Sequence, residues 1–237
     1  MLRVITWNCN MAFRKKIKFI ENYTPDIMIV PECEHPDKLK FDLDTKQPTD
    51  IFWYGTNLHK GLAVFSFTDF KINLLDYHKE EFRMVLPLQI KNEKATYTVF
   101  AIWANNPHNR DYQYIGQIWK ALNYYQNKLG ENKTLLIGDF NSNTIWDRPK
   151  REANHSTVVD ILLKQGIEST YHRFLNQTQG KELHPTLFMY RHQDKPYHID
   201  YCFASYDMIQ RLKNVEVGKY DDWSGVSDHM PLIVDFE

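Results

Sequence analysis

The sequence predicts an α/β protein built as a four-layered sandwich, two mixed and mostly antiparallel sheets packed face to face with helices outside. Three observations carry that prediction. The chain opens on strand, helix, strand. Its middle is a series of short β-rich runs whose spacing suits antiparallel neighbours better than crossover helices. Its later part returns to strands alternating with helices.

Taken in order, Leu2 to Thr6 reads as a strand and Arg14 to Asn22 as a short helix with Ile17, Phe19 and Ile20 on its apolar side. In "TPDIMIVPE", Pro25 punctuates, Ile27 to Val30 forms a buried strand, and Glu32 falls just past its end. Ile51 to Tyr54, Leu62 to Phe67, Ile72 to Leu75 and Met84 to Ile90 follow as short strands between turn-prone or charged residues. "ATYTVFAIW" is a longer strand ending at Trp103. After the polar turn "ANNPHN", Asp111 to Leu129 carries Tyr114, Ile118, Ala121, Leu122 and Tyr125 at helical spacing, and Gly130 stops it. "TLLIGDFN" is a strand, Ser156 to Gln165 a helix, and Thr186 to Tyr190, Ile199 to Ala204 and Leu232 to Phe236 are strands. With no low-complexity stretch, repeat or Pro/Gly-rich linker, residues 1–237 are expected to form one domain.

Composition narrows the function classes. At 43% hydrophobic and 25% charged residues the chain is an ordinary globular one, far from disorder. A formal net charge of -1 gives no sign of a protein that coats nucleic acid by bulk electrostatics and leaves room for a local basic groove. Cys9, Cys33 and Cys202 cannot all pair and show no CxxC spacing, which points to a reducing compartment and small-hydrophobe roles. No leader pattern and no apolar run near the ~20 residues of a membrane span are visible, so a cytoplasmic monomer without a membrane partner is expected.

Five polar clusters each lie at or beside the end of a predicted strand: Asn8 and Asn10, Glu32 and Glu34, Asp139 and Asn141, His198 and Asp200, Asp228 and His229. Singly, each has a plain explanation as a turn residue, a solvated charge or a capped turn. Brought to one rim they would crowd several carboxylates, and such carboxylates repel until protons or a cation compensate. Oxygen-rich ligation favours a hard ion, Mg²⁺ or Mn²⁺, over zinc, and such ions bind substrate phosphate. That chemistry points to phosphoryl transfer to water.

The segments "TWN", "PDIMIVPE", "GDFN", "IDY" and "SDH", in this order, resemble the endonuclease/exonuclease/phosphatase superfamily, which includes DNase I-like nucleases and exonuclease III-like AP endonucleases. The resemblance runs from Asn8 to His229. It implies that Asn8, Glu32 and Asp228 form the metal-side group, holding one or two ions, with Glu32 the main ligand. It implies that Asp139 orients or deprotonates the attacking water, and that Asn141 holds that water or a phosphate oxygen. His229 would donate to a non-bridging phosphate oxygen, with Asp200 fixing its tautomer and keeping it charged.

The chain departs from the pattern at "IWANNP", where Trp103 stands in place of a His or Tyr. Indole donates one hydrogen bond and cannot act as acid or base, so Asn105 is the residue expected to take over the phosphate contact. Tyr197 falls where AP endonuclease relatives place an aromatic wall for the flipped-out sugar, and a core or rim role is its plain alternative. Arg148, in "DRPKRE", is the basic candidate for a phosphate contact. His155 reads as a helix cap or rim residue, with substrate contact the lesser alternative, Glu34 as a solvated charge, a residue behind the metal ligands or a second-metal ligand, and "RKKIK" as the wet face of a helix rather than a DNA track. The expected function is a metal-dependent phosphodiesterase acting on nucleic acid. The alternatives are hydrolysis of a small phosphoester and a binding module that has lost chemistry.

Overall fold

The computed structural model describes residues 1–42, 44–106 and 113–237. One six-stranded sheet holds β1 (Leu2–Thr6), β2 (Ile27–Cys33), β3 (Asp50–Asn57), β4 (Lys60–Ser66), β13 (Leu212–Val217) and β14 (Leu232–Phe236), in the order β13-β14-β1-β2-β4-β3. The other holds β5 (Lys71–Leu74), β6 (Val85–Lys91), β7 (Thr96–Trp103), β8 (Thr134–Asp139), β9 (Ile167–Ser169) and β12 (Asp200–Ser205), in the order β5-β6-β7-β8-β12-β9. A small hairpin pairs β10 (Leu187–Phe188) with β11 (Pro196–Tyr197). Among the described residues only β1–β2 and β7–β8 pair in parallel, so the sheets are mixed and mostly antiparallel.

The apolar alternation decides the layering. Val4, Ile29 and Val64 of the first sheet meet Leu86, Val99 and Ile137 of the second in one buried cluster between the sheets. The outer face of the second sheet is covered by α2 (Ile115–Leu129) and α3 (His155–Lys164), where Ile118, Leu122, Tyr125 and Leu162 pack on Phe100, Leu136 and Phe203. The outer face of the first sheet is covered by a 3₁₀ turn at Phe13–Lys15, α1 (Ile17–Glu21) and Trp223. Shorter helices α4 (Thr170–Leu175), α5 (Tyr206–Ile209) and α6 (Tyr220–Trp223) complete the chain. No described helix is long and apolar enough to cross a membrane.

Several predicted boundaries move, each for a local reason. Strand β2 continues to Cys33 because a bulge between Pro31 and Cys33 lets pairing resume, Pro31 opposite Leu62 and Cys33 opposite Gly61. Glu32 therefore sits on the bulge, at φ 62°, rather than beyond the strand. The helix expected over residues 14–22 shortens to Ile17–Glu21, which buries Ile17 and Ile20 and leaves Phe19 exposed. The strand expected over 186–190 shrinks to Leu187–Phe188, because Met189–Arg191 turn through positive φ at Tyr190 and Arg191. Helix α2 begins at Ile115; the expected start at Asp111 and the end of the "ANNPHN" turn lie outside the described residues.

Gly138 allows the tight approach of β7 to β8. At φ 147° its position leaves no room for a side chain, since a Cβ there would lie 1.9 Å from the Ile102 carbonyl oxygen. Gly138→Ala should therefore cost at least about 2 kcal/mol, read as a lowered urea midpoint with unchanged slope.

Behind the second sheet, His155 and His198 are buried. Burial pulls both imidazoles down to about 4, against the nearby charges and hydrogen bonds that would raise them. The unfolded chain binds those protons near pH 6.5, so this contribution to stability is complete above that pH and is lost as pH falls toward 4. Each shift corresponds to about 3 kcal/mol. Thermal unfolding between pH 7 and 4.5 should show a falling midpoint, and His198→Gln should flatten that slope.

Candidate active site

The site begins with a register. Strands β8 and β12 pair antiparallel with Asp139 opposite Asp200, so the two carboxylates stand side by side where β8 ends and β12 starts. Both are fully buried. A buried carboxylate needs partners, and Asp139 has three. Its Oδ1 accepts from the Asn141 backbone N–H at 2.8 Å, and its Oδ2 accepts from the side-chain amides of Asn8 and Asn141 at 3.0 Å each. Asn141 reaches back because it turns left-handed, at φ 46°, and its amide also donates to the Ala104 carbonyl at 2.8 Å.

Asp200 is fixed by Thr186, whose hydroxyl oxygen accepts from the backbone N–H groups of Ile199 and Asp200 at 2.9 Å. Its Oδ2 accepts from His229 Nδ1 at 2.9 Å. His229 in turn is held by the loop before β14. Its backbone N–H donates to Ser227 Oγ at 3.0 Å, its carbonyl accepts from Trp7 Nε1 at 2.9 Å, and the Ser227 hydroxyl donates to the Asn8 carbonyl at 2.8 Å. Asn10 closes the ring: its N–H donates to Asn8 Oδ1 at 3.0 Å and its side-chain amide to Asp228 at 2.9 Å.

The electrostatics divide the two ends of this network. Burial, reinforced by the Asp200 charge, pushes the Asp139 carboxyl up to about 7, with His229 and the hydrogen bonds opposing. Burial disfavours a charged His229, yet the Asp200 carboxylate, with Asp139 and Asp228 behind it, holds the imidazole protonated up to about 10. A carboxylate poised near neutrality can take a proton from water, while the neighbouring imidazolium stays charged and can donate to an anion.

The residues also fit a divalent ion. Asp139, Asp200 and His229 each place a potential ligand atom within 4.8 Å of the others, and Asp200 Oδ1 is buried without a hydrogen-bond partner. Glu32 lies at the same rim: Lys60 bonds its Oε2 at 3.0 Å while resting 5.3 Å from the Trp103 ring, and Trp103 pairs with Asp139 across β7 and β8. With His229 held protonated by Asp200, the donors left for an ion are carboxylate and amide oxygens, a set suited to a hard ion.

Of the residues singled out in the sequence, Asn8, Asp139, Asn141, Asp200, Asp228 and His229 share one hydrogen-bonded network, and Glu32 borders it. Arg148 lines a cavity of about 320 Å³ together with Arg151, Asn141, Trp146, Leu187 and Ile199. Tyr197 is half-buried with its ring 5.0 Å from that of Trp146. Asn105 lines a separate groove with Trp103.

Trp103, a substrate-contact candidate with Asn105, is 6% exposed: it packs in the core between the sheets and lines that groove. Other expectations are corrected. Glu34 is neither solvated nor turned to the metal side: at 1% exposure it accepts from the backbone N–H groups of Phe13 and Arg14 and pairs with the Arg14 side chain at 2.8 Å. The "RKKIK" stretch is not only a wet face, since Lys16 donates to the Cys9 and Asn10 carbonyls and so braces the loop carrying Asn8. His198 turns inward, bonded through Nδ1 to the His184 carbonyl at 2.7 Å. His155 is buried, and the first turn of its helix is capped by Asp147, which accepts from the N–H groups of His155 and Ser156. Thr186, Ser227, Lys60 and Trp146 escaped sequence reading, because their roles depend on contacts distant in sequence; Asn10 is singled out with Asn8 in the sequence but given no role there.

A two-sheet α/β sandwich with paired acids, amides and an imidazole at its rim defines a DNase I-like architecture. The sequence profile of the Endonuclease/Exonuclease/phosphatase family matches residues 5–229, and the chain belongs to that family, whose members are metal-dependent phosphoester hydrolases. Similar solved structures include the 3'-5' exonuclease NExo from Neisseria meningitidis, at 18% identity and TM-score 0.70, over 100% of both chains. The 3' phosphatase NExo from Neisseria bound to product DNA hairpin matches at 19% identity and TM-score 0.69, and an AP endonuclease from Archaeoglobus fulgidus at 16% and 0.69, each over 100% of both chains. At these identities the likeness establishes the fold. No curated protein matches in sequence.

Asp200→Asn removes the charge that keeps His229 protonated. In NMR titration of the His229 ring the midpoint should drop by several units relative to wild type, with little change in the fold.

Proposed function

We propose that this protein is a Mg²⁺- or Mn²⁺-dependent phosphodiesterase that cuts DNA or RNA by in-line attack of water. The observation that carries the reading is the buried Asp139 carboxylate held by the Asn8 and Asn141 amides beside the Asp200–His229 ion pair. Asn8, Glu32 and Asp228 are the residues assigned to hold the ion. When bound, it neutralises charge on the phosphate and on the leaving oxygen.

The rest of the chemistry falls to the chain. Asp139, oriented by the two amides, accepts a proton from the attacking water as its oxygen bonds to phosphorus. Asn141 positions that water or a phosphate oxygen. His229 donates a hydrogen bond to a non-bridging oxygen, where negative charge grows as the bond to the leaving oxygen breaks, and Asp200 keeps the imidazole charged throughout. The leaving oxygen takes up a proton from solvent water and Asp139 gives its proton back to solvent, so the products are a phosphate ester and a free hydroxyl. Because Asp139 and His229 come from different sheets and meet at one rim, water and phosphate can be held between them.

Nucleic acid is favoured as substrate by Arg148 and Arg151 in the cavity beside Asn141, with Trp146 and Tyr197 offering aromatic faces. The similar NExo and Archaeoglobus proteins, a 3'-5' exonuclease and 3' phosphatase and an AP endonuclease, support the same substrate class. A binding module without chemistry would be expected to lack part of the set, and Glu32, Asp139, Asn141, Asp200, Asp228 and His229 are all present.

Hydrolysis of bis-p-nitrophenyl phosphate should require Mg²⁺ or Mn²⁺ and cease with EDTA. Asp139→Asn and His229→Ala should each lower kcat by about 10²–10⁴-fold, with Asp200→Asn reproducing much of the His229→Ala loss. Competition among abasic duplex, plain duplex, single-stranded DNA, RNA and small phosphoesters then ranks substrates. Absence of turnover with either ion would overturn the assignment.

A further inference from the structure

An open groove of about 640 Å³ contains two cations, Lys60 and Arg83, with Asn57 and Asn105 among its lining. Lys60 is held there by its Glu32 partner at 3.0 Å and by the Trp103 ring below. The pairing is imposed by the backbone. Strand β2 bulges at Glu32, Cys33 resumes pairing opposite Gly61, and Lys60 is the residue next to Gly61, closing the hairpin opposite Asn57. The hairpin itself is pinned: Trp53 Nε1 donates to the Cys33 carbonyl at 3.1 Å, and its ring lies where a Gly61 Cβ would stand, 2.4 Å away. The His35 backbone N–H also donates to the Leu58 carbonyl at 2.9 Å. The ammonium therefore stands beside Glu32 as a built feature of the sheet.

An ammonium and a divalent cation cannot share one carboxylate freely. Their charges repel, and the oxygen that accepts from Lys60 is a lone-pair site that a metal would need. The pair is partly solvated, with the lysine side chain 37% and the glutamate side chain 18% exposed, so it is weak enough to exchange. Released from Glu32, the Lys60 head stays in a groove that already carries Arg83, whose guanidinium donates to Thr56 Oγ1 at 3.2 Å. Two cations flanked by carboxamides suit the phosphodiester backbone of a nucleic acid.

We propose that Lys60 is the resident counter-cation of Glu32, that it competes with the divalent ion for that carboxylate, and that metal loading frees it to bind a substrate phosphate in the groove with Arg83. This rests on Glu32 being a metal ligand, as assigned above. Substrate and metal are thereby linked: a polyanion that draws Lys60 away strengthens metal binding, and the metal strengthens polyanion binding by the same factor.

The test is direct Mn²⁺ binding by the full chain, followed by electron paramagnetic resonance without substrate, so that turnover plays no part. Lys60→Met should bind Mn²⁺ roughly tenfold more tightly than wild type, and Lys60→Arg should stay within about twofold, because it keeps the competing charge. Adding a short phosphorothioate oligonucleotide should tighten Mn²⁺ binding in wild type more than in Lys60→Met. If Glu32→Gln loses Mn²⁺ while Lys60→Met binds it no better than wild type, the Lys60 inference falls alone. If Glu32→Gln binds Mn²⁺ as wild type does, the metal assignment and the inference fall together.

Discussion

Two carboxylates facing each other in the interior, Asp139 and Asp200, form the constraint on which the rest of the structure depends. Buried anions at adjacent strand positions repel, and neither can be hydrated. The protein resolves this with an imidazolium on one side and three hydrogen-bond donors on the other. Each of those donors comes from a segment whose placement is itself fixed by sheet pairing. A one-residue slip between β8 and β12 would break the opposition of the two acids.

The two sheets divide the work. From the first come Asn8 after β1, Glu32 on the β2 bulge, and Asp228 and His229 before β14; from the second come Asp139, Asn141 and Asp200. The spacing between proton acceptor and imidazolium is thus set by the apolar layer between the sheets, where Val4, Ile29, Ile137 and Cys202 meet. Core packing here is a determinant of site geometry. Loosening it by one methylene would be felt at the rim before it unfolded the protein.

Much of this was legible in the sequence where local pattern and local structure coincide. Leu2–Thr6 and Leu232–Phe236 have the bounds their apolar runs imply, and the strand before Asp139 ends where the polar residues begin. The two-sheet layering followed from short runs without room for crossovers. What stayed hidden depends on distant partners. Edge strand β13 is half polar, with Lys213, Asn214 and Glu216 among its residues, and forms because β14 offers it a ladder. Glu34 looked solvated because its partners, the N–H groups of Phe13 and Arg14, are visible only once the loops fold together. Trp103 stood beside the chemistry in sequence and in the sheet, yet its bulk serves the interior. The Lys60–Glu32 pair is a product of the bulge, a feature with no signature in residue spacing.

The tie between the Asn8 loop and the His229 loop, made through Trp7 and Ser227, joins groups more than two hundred positions apart. Such a closure has a consequence for biosynthesis. During translation the acid pair can fold within the second sheet while its imidazole is still inside the ribosome. The rim is therefore completed only once the last strand has left the tunnel and docked on β1.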